Sequence, residues 1–279
     1  MDHAMERSNT RSLAALADAI PDGALLAVPK DDCGASLAGI GALVARGARQ
    51  LELLCVPTGG LQADLLIGAD ALAALESAGI SLGEQGPAPR FQAALAARRL
   101  VMSDSTCPAI YAALQAAEKG QPFVPLRGLI GSDVLAHRSD WKVIQNPYAD
   151  NDPIVVLPAI RPDTALFHAP LADIFGNVYI GRQRELSVMA HAARSTWVTV
   201  EQVCDFDLLA DATYAPGVIP AIYVDGIVLA PGGARPLGVP GLSEADEDAV
   251  AAYAAAARTA EGFAGWMRSR FDAPETATA

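Results

Sequence analysis

Only four cysteines occur in 279 residues. Cys33, Cys55, Cys107 and Cys204 form no Cys-x-x-Cys pair and have no histidine close by, which argues against a disulfide framework or a zinc site and for reduced thiols. The four histidines, His3, His137, His168 and His191, lack the three- or four-residue spacing that puts two ligands on one helical face, so no metal is expected. Lysine is scarcer still: Lys30, Lys119 and Lys142 stand alone, and a formal charge of −12 leaves no surface for neutralising phosphate. Nucleic acid and an anionic membrane are therefore not expected partners. No uncharged run exceeds 13 residues (Cys33–Ala45 and Ala212–Val224 reach that length). As helix this is about 20 Å, short of the roughly 30 Å bilayer core. The opening Met-Asp-His-Ala-Met-Glu-Arg carries acids in place of an apolar leader, so a cytoplasmic protein is expected.

What is present is apolar content, 52% of the chain, enough for a packed core. The first half alternates short apolar runs with helical stretches, the pattern of βα units feeding a parallel sheet covered on both faces. Strands are predicted at Ala24–Val28, Leu51–Val56, near Ala78–Leu82 and at Leu100–Ser103. The intervening helices cover Ser36–Arg46, a stretch through Asp64–Ala69, Pro89–Arg98 and Pro108–Glu118. Prolines and weak periodicity from Pro122 to Pro158 predict a looped segment that rejoins the sheet at Ile154–Leu157. Further strands are expected at Ala165–His168, Asn177–Ile180, Thr196–Val203 and Ala221–Leu229, with helices over Gln183–Ala192, Glu244–Arg258 and Gly262–Phe271. The fold class expected is a three-layer α/β/α domain over residues 11–272 with a mainly parallel central sheet, flanked by tails at 1–10 and 273–279.

Common site motifs are missing: no Gly-x-x-x-x-Gly-Lys-Ser/Thr, no Gly-x-Gly-x-x-Gly after a strand, no Gly-x-Ser-x-Gly and no His-Glu-x-x-His. What remains is a strand-to-helix turn, Val56-Pro57-Thr58-Gly59-Gly60-Leu61-Gln62. Glycines there let a ligand oxygen approach exposed helix amides at the ligand-binding edge of an α/β sheet; equally, they make a tight turn and nothing more.

The stretch Gly47–Gly68 resembles the first subunit of the family I coenzyme A transferases, in particular that of the glutaconate CoA-transferases. The resemblance continues through Pro89-Arg90-Phe91, Gln121–Asp133, Leu157–Ala165, Phe175-Gly176-Asn177, Val200–Val203 and Ile227–Ala234, in order, covering residues 11 to 270. It implies the CoA-transferase (NagB/RpiA-like) fold with a seven-stranded sheet, coenzyme A bound as acyl-CoA substrate, and a homologous β subunit in a heterodimer or α2β2 heterotetramer. It further implies that a glutamate of that second subunit carries the glutamyl-CoA thioester, while this chain supplies walls and oxyanion donors. The two-subunit hydrolase that opens the last steroid rings as CoA thioesters is similar in the same segments. Ring-opening hydrolysis and a non-catalytic paralogue are therefore the alternatives.

Two departures accompany the resemblance. The loop after the first strand, Val28-Pro29-Lys30-Asp31-Asp32-Cys33-Gly34, puts charges where the family has small residues, and Cys107 stands where the hydrolase has an acid, twenty residues before Arg127. On the family pattern Arg127 is the first catalytic candidate, a guanidinium at a strand end that clamps a carboxylate or thioester oxygen, with a structural ion pair as the alternative. Cys107, at a helix start, is the second, as a reactive thiol or an inert one. Gly59, Gly60, Gln62, Gly128, Ser132 and Asn177 are expected to line the substrate or CoA cleft, Asn177 otherwise capping a turn. His168 reads as a satisfied core histidine, and Asp31-Asp32 as a solvated turn.

Overall fold

The first strand, β1 (Leu25–Pro29), sends Leu26 and Val28 into one apolar layer and Ala27 into another. Both its faces are covered, which is why its sequence reads as an unbroken apolar run instead of an alternation. The computed structural model describes residues 10–271, so the expected tails, Thr10 aside, and His3 lie outside the described residues. A short helix, α1 (Leu13–Ala19), precedes β1 and is capped by Ser12, whose hydroxyl accepts from Ala15 N at 3.1 Å. The periodicity does not announce it.

From β1 the chain runs through α2 (Leu37–Arg46), β2 (Leu51–Val56), α3 (Leu61–Gly68), β3 (Leu72–Ser77), α4 (Pro89–Ala96), β4 (Val101–Asp104) and α5 (Cys107–Glu118). The third strand corrects the sequence reading, lying before Ala78–Leu82 and not on it. Alanine-rich Leu72–Ser77 has the propensity of a helix, but parallel pairing of Leu75 with Leu53 of β2 overrides it. Ala78 and Ser81 instead turn over the sheet edge, donating to Pro57 O and Gly59 O.

The segment expected to be looped builds a second sheet. β5 (Phe123–Leu126), α6 (Asp133–His137), β6 (Lys142–Gln145) and β7 (Pro153–Pro158) fold into a three-stranded antiparallel sheet in the order β5-β7-β6. Ile154–Leu157 thus pairs with β5 and β6 and does not rejoin the central sheet. The prolines are compatible with this because Pro125 lies on an edge strand, while Pro153 and Pro158 bound β7. Val124, Leu126, Val155 and Leu157 pack with Trp141 and Ala109 into a small core of their own.

The chain then returns as β8 (Thr164–Asp173), β9 (Val178–Tyr179), α7 (Arg184–Ala192), β10 (Ser195–Cys204), β11 (Val218–Ile219), β12 (Gly226–Leu229), α8 (Glu247–Ala256) and α9 (Ala260–Phe271). The strand expected over Ala221–Leu229 is only its last four residues; Ala221–Tyr223 is a helical turn after Pro220. Seven strands form the parallel sheet, in the order β12-β10-β8-β1-β2-β3-β4, and β9 and β11 add an antiparallel pair beyond β8. One face carries α1–α4, α8 and α9, the other α5 and α7, giving the three layers. Fully burying one Leu or Ile of these layers stabilises the fold by about 2 kcal/mol. Strand order reverses between β1 and β8, so their carboxyl ends flank the topological switch point where ligands of open α/β sheets bind.

Candidate functional site

A chain of buried polar groups crosses the switch point. Ser36 Oγ lies 2.7 Å from Thr199 Oγ1, which lies 2.8 Å from His168 Nδ1, while His168 Nε2 lies 2.9 Å from Glu201 Oε1. One ordering satisfies every atom: Ser36 donates to Thr199, Thr199 to Nδ1, and Nε2–H to Glu201, whose other oxygen accepts from Gly232 N at 2.8 Å. The hydrogen bond from His168 holds the Glu201 carboxyl below its ordinary value. Gly34 sits against this chain with φ 95°, and a side chain there would collide with His168 O. The expectation of a satisfied core histidine holds, and this relay fastens β8, β10 and the loop after β1 together.

The solvated turn expected at Asp31-Asp32 is corrected for Asp31, which is half-buried and turns its carboxylate inward. Its Oδ2 accepts from Leu61 N at 2.6 Å, and Oδ1 is buried with no hydrogen-bond partner among the described residues. Burial pushes the carboxyl up to about 6. This carboxylate occupies the N-terminus of α3, the place where the sequence suggests that the Gly59-Gly60 turn offers free amides to a ligand. Gly60 is required there because any Cβ would collide with Asp31, and Gly59 N is bonded to Gly79 O at 2.9 Å. Gln62 is buried and bridges Pro29 O and Ser36 N at 2.8 and 3.1 Å. In this chain, then, Gly60 and Gln62 hold the loop after β1, and Gly59 holds the segment after β3.

Beside that loop the sheet edge carries a cluster that spacing does not reveal. Cys33 Sγ lies 2.6 Å from Glu185 Oε1 and 2.8 Å from Gln183 Oε1, at the start of α7. Burial and the Glu185 carboxylate both push the thiol up, so Cys33 is a proton donor and not a thiolate. Tyr111, on α5, is pushed up to about 12 by burial and by the nearby Glu185, Cys33 and Cys107. Cys107 opens α5 and is exposed at the same carboxyl-end edge. Among the described residues no group of His, Cys, Asp and Glu is placed to hold a metal ion, and no helix is long and apolar enough to cross a membrane.

Next to the cluster lies a groove of about 520 Å³ whose floor is the paired Leu171 of β8 and Gln202 of β10. The β9-to-α7 turn, Tyr179 to Gln183, forms one wall and Pro240-Gly241-Leu242 the other.

The remaining expected site residues lie elsewhere. Arg127 follows β5 on the small sheet, 71% exposed, and makes a two-pronged ion pair with Asp152 at 2.5 and 2.6 Å, the ion-pair alternative. Gly128 follows it in an exposed turn, and Ser132 caps α6 through Leu135 N. Asn177 is buried, donating to Asp173 and accepting from Ala221 N at 3.0 Å, the turn-capping alternative.

Comparison with known proteins adds to this geometry. A family model described as coenzyme A transferase matches residues 10–230. The first subunit of glutaconate CoA-transferase of Acidaminococcus fermentans is 31% identical over 195 residues, 62% of this chain and 59% of that protein. The cholesterol ring-cleaving hydrolase IpdA subunit of Rhodococcus jostii is 30% identical over 155 residues, 53% and 52% of the two chains. The chain thus spans little more than half the length of these curated relatives. Solved structures align more fully. Glutaconate coenzyme A-transferase from Acidaminococcus fermentans superimposes with a TM-score of 0.86 over 95% of this chain and 89% of its own, at 26% identity. A variant of the decarboxylase AibA/AibB does so with a TM-score of 0.81 over 94% and 98%, at 31% identity.

Proposed function

The chain belongs to the coenzyme A transferase family, and from that premise we propose that it is the first, α-type subunit of a two-subunit enzyme that moves CoA between carboxylic acids. The observation that carries this reading is the alignment with glutaconate coenzyme A-transferase over 95% of the chain. The chemistry proposed uses a glutamate of the homologous partner subunit. Its carboxylate attacks the acyl-CoA carbonyl and expels CoA thiolate, giving an acyl-glutamyl anhydride. The thiolate then attacks the glutamyl carbonyl and releases the first carboxylate, leaving a glutamyl-CoA thioester, which an acceptor carboxylate resolves by the reverse steps. Two of the four thiols are unsuited to be the nucleophile: burial holds Cys33 and Cys55 in the neutral form, Cys55 up to about 12. In this reading Cys107 and Tyr111 wall the site, with coenzyme A as substrate and no metal.

The test is CoA exchange. With its partner subunit, the chain should transfer CoA from an acyl-CoA to a free carboxylate with ping-pong kinetics, and borohydride should inactivate the acyl-CoA-treated enzyme by reducing a partner-chain thioester. Either chain alone should be inactive. A second reading, CoA-ester chemistry without an acceptor acid, draws on the hydrolase and decarboxylase relatives. Release of free CoA or of carbon dioxide without a carboxylate acceptor would establish it and overturn the transferase.

A further inference from the structure

A buried arginine ties the small sheet to the central one. Arg138, just after α6, has 8% of its side chain exposed and lies 4.2 Å over the Trp141 ring. Its guanidinium donates to Glu76 Oε1 of β3 at 2.8 Å, to Asp104 O of β4 at 3.1 Å, and to both Asp140 oxygens at 2.9 and 2.8 Å. Beside this clasp, between α5 and the small sheet, is a cavity of about 60 Å³ whose polar lining is Glu76, Ser105, Arg138 and Asp140.

Two oxygens in that lining are unused by the fold. Ser105 is 7% exposed, and its Oγ is buried with no hydrogen-bond partner among the described residues. Glu76 gives Oε1 to Arg138, while its Oε2 has no partner among the described residues either. A buried hydroxyl left unpaired is costly, so a bound group is expected to meet it. Charge decides what kind. Two carboxylates against one guanidinium leave the lining one negative charge in excess, and Lys142 does not relieve it, donating to Ser139 O from outside the cavity. The excess repels an anion. A divalent ion takes six or more oxygens, carboxylates among them, and both Asp140 oxygens are held by Arg138. The volume is several times the roughly 10–15 Å³ that one water needs. A singly charged cation with water completing its shell matches both the space and the charge.

We propose that this cavity is a monovalent-cation site, with Glu76 and Ser105 as its protein ligands, that braces the small sheet against the central one. The site is independent of the transferase reading, since it asks nothing of the substrate. Its link to the sheet edge is through the backbone: Ser105 stands in the turn from β4 into α5, two residues before Cys107.

The test uses the full chain, exchanged into choline nitrate and titrated with potassium nitrate at constant ionic strength. Potassium should raise the melting temperature by about 3–6 °C at saturation, and choline, too large for the cavity, should not. Thallium(I) nitrate should give a bound thallium NMR signal that potassium displaces. Ser105→Ala leaves the bonds of Arg138 in place, so it should stay folded by near-UV circular dichroism and lose both the potassium increment and the bound signal. Glu76→Gln keeps an oxygen for Arg138 and removes the excess charge, so cation affinity should fall by about 10-fold or more. Identical melting in potassium and choline with no bound thallium would show that water alone meets the Ser105 hydroxyl, and would overturn the site. A potassium increment that persists in Ser105→Ala would place the ion elsewhere and overturn it equally.

Discussion

Gly60 lies so close to Asp31 that a single added methyl group would run into the carboxylate. The contact joins the loop after β1 to the start of α3, and each residue accounts for the other: the carboxylate needs a glycine to reach the amides, and the amides need the carboxylate.

Gly60→Ala should therefore lower stability by about 1–3 kcal/mol, the usual consequence of overpacking a filled site. Denaturant unfolding of the purified chain measures it. An unchanged midpoint would show that the loop moves aside freely and that the turn is open to other occupants.

Asp31 gives the stability a pH dependence. Its carboxyl, up to about 6 in the fold against an ordinary 3.8, binds its proton more tightly folded than unfolded. Stability from this group is thus full below about pH 4 and declines as pH rises to about 6, a loss on the order of 2–3 kcal/mol. Asp64, also raised by burial, adds in the same direction. Asp31→Asn should flatten, without abolishing, the fall in melting temperature between pH 4 and 7; an identical slope in the variant would assign it to other groups.

Tyr253 on α8 donates its hydroxyl to Asp64 Oδ2 at 2.7 Å, and Asp64 also accepts from Arg90 N and Phe91 N at the start of α4. Tyr253→Phe removes one of three donors from a buried carboxylate and should cost about 1–3 kcal/mol. Asp64→Asn in the same background should recover part of that loss, since a neutral amide needs less compensation. Equal effects in the single and double variants would break the link.

For Arg127, an exposed partner to Asp152, the expected result is modest. Arg127→Lys should leave the melting temperature and the fold essentially unaltered, as surface ion pairs contribute little. A large fall in kcat/KM in the assembled enzyme without thermal destabilisation would put the small sheet at the active site after all.

The layers, the parallel sheet and most strands were legible because burial on both faces writes long apolar runs into β1, β2 and β8. β3 was not, since its alanines have helical propensity and only pairing with β2 makes them a strand. The second sheet was hidden by proline, which marks edge strands as readily as loops. For the site, the turn at Gly59-Gly60 was visible, but that Asp31 fills it depends on contact between residues 30 positions apart. Glu185 and Arg182 carried no motif at all, because α7 reaches Cys33 and the groove only through the tertiary fold. Arg127 and Asn177 were recognisable as polar residues at defined corners, and the alternative offered for each, an ion pair and a turn cap, is the arrangement present.

β1 and β8 are neighbours in the sheet yet are separated by the whole of the second sheet and three further βα units. During synthesis the amino-terminal strands can pair with one another as they emerge, whereas the other edge of β1 must wait for Thr164 and Ala165. At ordinary ribosomal speeds of about 5–20 residues per second, that wait is roughly 7–27 s. For this interval the nascent chain exposes an apolar strand edge of the kind that recruits other strands. The seam beside the His168 relay is thus the strand edge left waiting longest for its partner, and a place where a stalled or truncated chain is prone to aggregate.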